Sequence, residues 1–153
     1  MSRRRLATQT YRVDNDLESL FTQMFTCRLM KNGKKQLAHR ILFNTLKDIQ
    51  LKTQQEPMQV LEQAVRNATP SVMVKSHRVG GAIYSVPVEL SARRATALAI
   101  GWILTACRSR SGQSMETKLV SEILDASKKI GQAVRKKEET HRMAESTNRL
   151  VRN

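Results

Sequence analysis

Aromatic residues are scarce: three Phe, two Tyr and one Trp make up 4% of the 153 residues. That is too few for a platform on which successive bases of a single nucleic-acid strand stack. Acidic residues are scarce as well. Thirteen Asp plus Glu face 27 Lys plus Arg, a formal net charge of +14 and a pI near 10.6. Self-repulsion of that size opposes compactness, so a polyanionic partner is expected, nucleic acid before an anionic membrane surface. The two cysteines, Cys27 and Cys107, lie far apart in helical patterns with no CxxC. That leaves no disulfide framework and no zinc-ligand spacing, and predicts two buried free thiols in a reducing compartment. No apolar run approaches the length that spans a bilayer. The opening MSRRRLATQT has charges but no apolar stretch behind them, so it does not read as a secretory signal, and it is short for a transit peptide.

Catalytic patterns are missing too. His39, His77 and His141 fall on three separate elements, and the chain has no HExxH, GxxxxGK[ST] or GxGxxG. Without a converging set of reactive groups the chain is expected to be no enzyme and to carry no cofactor and no metal.

What the sequence does have is one strand-like stretch in an otherwise helical chain. Val72 to Leu90 reads VMVKSHRVGGAIYSVPVEL, rich in the β-branched and aromatic residues that suit a pleated surface. Gly80-Gly81 supplies the positive φ angles of a tight turn, so the stretch folds back as a β-hairpin arm over 72–90. Pairing about the glycines sets Val79 opposite Ala82, His77 opposite Tyr84 and Lys75 opposite Val86 on one face, with Arg78 opposite Ile83 and Ser76 opposite Ser85 on the other. Neither face is cleanly apolar. Such a hairpin protrudes, with Lys75, His77 and Arg78 near its tip.

Around it the 3.6-residue period dominates. Residues 1–13 are basic and polar and form a disordered arm. Asp14 or Asn15 caps a first helix with Leu17, Leu20, Phe21, Met24 and Cys27 inward, ending at Lys31-Asn32-Gly33. A second helix carries Leu37, Ile41, Leu42, Leu46 and Ile49. Lys34 and Lys35 at its start have the wrong sign for a helix N-terminus, which hints that they face an anion. Pro57 opens a third helix with Val60, Leu61, Ala64, Val65 and Ala68 inward. After the hairpin, Ser91 caps a fourth helix whose ATALAIGWILTA run belongs at the centre of a core and holds Trp102 as a packing residue. A fifth helix carries Met115, Leu119, Ile123, Leu124 and Ala126, and Gly131 ends or kinks it. The segment from Gln132 is rich in charge and reads as a helix that projects and frays. The fold class is mainly α. A bundle of about six helices, one domain over 1–153, carries one protruding β-hairpin between the third and fourth.

The cations gather in five places: Arg3 to Arg5, Lys34 with Lys35, the hairpin tip, Arg93 with Arg94, and Arg135 to Lys137 with Arg142. Clusters at loops, termini and helix starts suit contacts spread along folded RNA read by shape. A basic DNA-architectural protein is the alternative. A peripheral membrane protein is weaker, because the segment after Gly131 lacks a wide apolar face.

Five motifs carry a resemblance: MSRRR, NGKK at Asn32 to Lys35, VKSHRVGGAIYSVPVEL, ALAIGWILTACRSR at Ala97 to Arg110, and RKKEETHRMAE at Arg135 to Glu145. In this order they resemble ribosomal protein seven of the small subunit, in its bacterial and organellar form. The resemblance implies a structural constituent of the small ribosomal subunit. It would be a primary binder of small-subunit rRNA that organises the head, near the exit-site tRNA and the mRNA path. Neighbouring head proteins would be its other partners, with no membrane and no homo-oligomer. It places rRNA contacts on Arg3, Arg4, Arg5, Lys34, Lys35, Lys75, His77, Arg78, Arg93 and Arg94. Two departures stand out. His77-Arg78 replaces the family's frequent arginine pair, and Thr147 to Asn153 lacks the family's aromatic tail. The KKEETHRMAE wording is similar to plastid members, which implies a chloroplast ribosome, with a bacterial cytoplasm as the alternative.

Overall fold

The computed structural model describes residues 20–112 and 114–151. The N-terminal arm with Arg3, Arg4 and Arg5, and the expected Asp14/Asn15 cap, lie outside them. Among the described residues six helices and one hairpin follow in the expected order. They are α1 (Leu20–Leu29), α2 (Lys35–Thr53), α3 (Pro57–Ala68), β1 (Val72–Val79), β2 (Ala82–Glu89), α4 (Ala92–Ser109), α5 (Met115–Ser127) and α6 (Gln132–Val151).

The core joins all six helices. Phe25, Leu42, Ile49, Leu61, Ile100, Ile103, Leu119 and Ile123 are fully buried, each contributing about 1.5–3 kcal/mol of transfer free energy. The apolar period of α3 was sufficient to place it, since Val60, Leu61, Ala64, Val65 and Ala68 are all buried. In α5 Leu119, Ile123 and Ala126 are buried as expected. That helix touches α2, α3, α4 and α6, and α4, central as its apolar run predicts, touches α1, α3, α5 and α6. Trp102 is half-buried against the core cluster, in keeping with packing.

One helix is rotated from the expected face, and a second departs at its first turn. In α1 the buried set is Thr22, Phe25, Thr26 and Leu29, while Phe21 and Met24 are half-buried and Cys27 is exposed. Threonine can face inward here because its hydroxyl finds a partner on its own helix. Thr26 Oγ1 donates to the Thr22 carbonyl at 2.9 Å, and Thr45 to that of Ile41 at 2.7 Å. The expected pair of buried thiols is therefore corrected to one, Cys107. In α2 Leu42, Leu46 and Ile49 are buried as expected, but Leu37 is exposed and Ala38 is buried in its place.

The hairpin register is the one the glycine pair predicts, from Val79 opposite Ala82 to Val72 opposite Glu89. Gly80 and Gly81 have φ of 58° and 89°, left-handed values that a side chain would disfavour. Only the base of the hairpin rests on protein. Val72, Val74 and Pro87 are half-buried, while 75–78 and 82–86 are exposed. The base lies against α6.

Helix α6 does not simply project. Ala133, Val134, Thr140 and Ala144 are buried, and the helix packs on α3, α4, α5 and the hairpin. Its polar residues, one turn apart, grip the end of α3 and the α3–β1 connection. Lys137 Nζ donates to the Asn67 carbonyl at 2.8 Å, and the Ser71 N–H donates to His141 Nε2 at 3.2 Å. Asn67 in turn donates Nδ2 to the carbonyls of Ala126 and Ser127 at 3.0 and 2.9 Å, satisfying the open end of α5.

Gly131 precedes α6 rather than kinking α5, and its reason is a buried carboxylate. A Cβ there would lie 2.8 Å from Glu122 Oε1. Glu122 is fully buried. Its Oε2 accepts from Arg110 Nε and Nη2 at 2.9 and 2.6 Å, and its Oε1 accepts from the Ala133 N–H at 3.2 Å. Arg110 Nη2 also donates to Asp125 Oδ2. One side chain thus ties the end of α4 to α5 and caps the start of α6.

Candidate nucleic-acid interface

An open groove between α1 and α4 is lined by Gln23, Met24, Cys27, Arg28, Arg93, Arg94 and Ala97. Arg93 and Arg94 occupy the first turn of α4, which holds no acid, and the Ser91 side chain makes no capping bond there. The hydroxyl expected as a cap is therefore not used as one. Two guanidinium groups at a helix start add to the positive end of the dipole instead of opposing it. Arg28 arrives from the last turn of α1. Its Nη1 lies 3.7 Å from where a Gly101 Cβ would sit, so its guanidinium lies against α4 about two turns beyond Arg94.

A second open groove surrounds the start of α2, lined by Gly33, Lys34, Lys35, Gln36, Leu37 and Arg40. Asn32 and Gly33, with φ of 53° and 72°, turn the chain sharply out of α1. Lys34 then sits at the N-cap with no side-chain cap, and the first turn carries no acid. Cations and unopposed N–H groups together make this end attractive to an anion.

The hairpin supplies the third site. Lys75 and His77 share one face with Met73, Tyr84, Val86 and Val88, and Arg78 shares the other with Ile83, as the register requires. All of these side chains are exposed. The three basic residues near the tip therefore point to two sides, not one.

The expected residues fall into separate groups: Arg93 with Arg94, Lys34 with Lys35, and the divided hairpin set. Arg28 and Arg40 are lining residues that the sequence reading missed. Arg40 follows Gln36 by one turn, so a helical wheel would have found it. Arg28 is 65 positions before Arg93 in the chain and carried no local signal. The cations of these groups share one electrostatic property. Among the described residues ion pairs involve only Arg110 with Glu122 and Asp125, and Lys136 with Glu139. Lys34, Lys35, Lys75, Arg78, Arg93 and Arg94 are all exposed and enter none. Among the same residues no cluster of three or more His, Cys, Asp or Glu could hold a metal ion, and no helix is long and apolar enough to cross a membrane.

Comparison with known proteins fits this geometry. A family model described as "Ribosomal protein S7p/S5e" matches residues 1–149. A protein of Tupiella akineta named "Small ribosomal subunit protein uS7c" is 48% identical over 147 residues, covering 95% of this chain and 94% of the relative. The protein of the same name from Chlorella vulgaris is 47% identical over 149 residues, with coverage of 95% and 94%. "Small ribosomal subunit protein uS7" of Arthrospira platensis is 47% identical over 147 residues, again covering 95% and 94%.

Proposed function

We propose a role that starts from family membership: the chain belongs to the ribosomal protein S7p/S5e family and is a structural component of the small ribosomal subunit. The DNA-architectural alternative is set aside by the same match. Within the subunit the chain binds head-domain rRNA directly and organises the junction of several RNA helices. Arg93 and Arg94 with Arg28 hold one stretch of backbone, and Lys34 and Lys35 hold another. Arg3, Arg4 and Arg5 add contacts from the N-terminal arm, and Lys75, His77 and Arg78 reach toward the exit-site tRNA and the mRNA path. Chloroplast-named relatives support a plastid ribosome, although the cyanobacterial relative is about as similar. The chain works as one copy among neighbouring head proteins, by binding and without catalysis.

The observation that carries this reading is the set of exposed cations at helix starts that no acid among the described residues neutralises. Phosphates complete such sites and release counterions as they do so. The test is equilibrium binding to a head-domain rRNA transcript across a salt series, with random duplex DNA as competitor. Tight binding that weakens steeply with salt and survives the competitor supports the proposal. Equal affinity for both polymers, or a flat salt profile, overturns it.

A further inference from the structure

Beyond Arg40 the outer side of α2 is left unused by the sites above. Gln36, Arg40, Phe43, Lys47, Gln50 and Leu51 recur at spacings of three or four, which puts them on one stripe. All six are exposed, Phe43 at 41% and Leu51 at 79%. The stripe carries no acid. Among the described residues neither Arg40 nor Lys47 enters an ion pair. Lys47 Nζ rests 4.4 Å from the Phe43 ring centroid, so one ring face is already covered by a cation. At 1.5 Å per residue the stripe runs about 22 Å, and Arg40 joins it to the groove at the start of α2.

We propose that this stripe docks along an RNA helix and extends the Lys34/Lys35 site into a continuous contact. The proposal rests on the rRNA reading of the protein. Arg40 and Lys47 are two turns apart, about 10 Å, and each meets a phosphate. Gln36 and Gln50 offer amides that both donate and accept, which suits the ribose 2′-hydroxyls of the shallow RNA minor groove. Phe43 and Leu51 pack on ribose. A protein-binding helix face presents apolar anchors in an unbroken i, i+3/i+4, i+7 row. Here a cation or an amide separates the two apolar residues from any further anchor, with cations two turns apart, and the ring face a base could use is covered. Charge and alternation both favour a duplex backbone.

The experiment uses the full chain and the head-domain rRNA transcript. Arg40→Ala with Lys47→Ala is compared with Lys128→Ala with Lys129→Ala, which removes the same charge from the exposed α5–α6 turn. The stripe variant should bind about 10-fold or more weakly, with a log–log salt slope shallower by about 2. Gln36→Ala with Gln50→Ala should lose protection of a run of ribose 2′-hydroxyls in the transcript. The Lys128/Lys129 variant should bind within about twofold of the unmodified chain, since those lysines line neither groove and lie off the α2 stripe. Equal losses in both charge variants, an unchanged stripe variant, or crosslinks from position 43 to protein instead of RNA in the assembled subunit overturn the proposal. An unmodified chain with no salt-dependent preference for head rRNA defeats the parent function as well. That result is read before any variant is made.

Discussion

Replacing Glu122 with Ala tests the internal frame that holds the cations in place. The carboxylate is fully buried and receives three hydrogen bonds, two from Arg110 and one from the Ala133 N–H. Removing it strands the Ala133 donor, which costs about 1–3 kcal/mol, and leaves a void that adds about 1 kcal/mol more. Arg110 is not stranded, because it keeps Asp125 and part of its side chain reaches water. The loss therefore stays below the roughly 3–5 kcal/mol of a fully orphaned buried charge. The expected total is about 2–4 kcal/mol, which for a chain of this length lowers Tm by roughly 5–15 °C. Glu122→Gln keeps an acceptor for Ala133 and should lose about half as much. Gly131→Ala supplies the cross-check, because its new Cβ would lie 2.8 Å from Glu122 Oε1 and 3.2 Å from the Ala126 backbone nitrogen. Alone it should cost about 1–3 kcal/mol. Combined with Glu122→Ala it should cost less, since one of the two collisions is gone. Thermal melts followed by circular dichroism measure all four chains. A Tm within about 2 °C for Glu122→Ala, or strict additivity in the double variant, refutes the reasoning.

Three further outcomes follow from the geometry. Cys27 is exposed and Cys107 buried, so iodoacetamide should label one thiol in the native protein and two in denaturant, and two rapid native labels contradict the fold. Burial first, then the charge of Glu122, push the Cys107 thiol from 9.0 to about 11; the stability this contributes is complete below pH 9 and lost as pH rises toward 11, which urea titrations at stepped pH would detect as a falling midpoint. His141→Ala removes the acceptor for the Ser71 N–H. Amide exchange at Ser71 should then quicken while Tm falls by no more than roughly 1–4 °C, the effect of one exposed hydrogen bond, and unchanged exchange would mean that α6 does not hold the hairpin base.

The parts legible in the sequence were those governed by local pattern. The α3 face needed only its period, and the hairpin register needed only two adjacent glycines. Faces were misread where a polar residue satisfied itself locally. Thr22 and Thr26 looked like surface residues, so the α1 stripe was placed around Cys27. The Glu122 cap was invisible because its partners at positions 110 and 133 look like an ordinary charged surface and a helix start. The cation clusters next to each other in the chain, Lys34 with Lys35 and Arg93 with Arg94, were readable. Their companion Arg40, one turn after Gln36, was missed though a helical wheel would have found it, and Arg28 was not readable, because packing of α1 on α4 brings it in.

The most direct test of the RNA-facing cations is chemical acetylation of Lys34, Lys35 and Lys75, followed by mass spectrometry, in the free chain and in assembled small subunits. All three are exposed in the fold. They should react freely in the isolated protein, resist modification in the particle, and react again after the RNA is digested. Rates in the intact particle equal to those of the free chain would contradict an RNA backbone beside them.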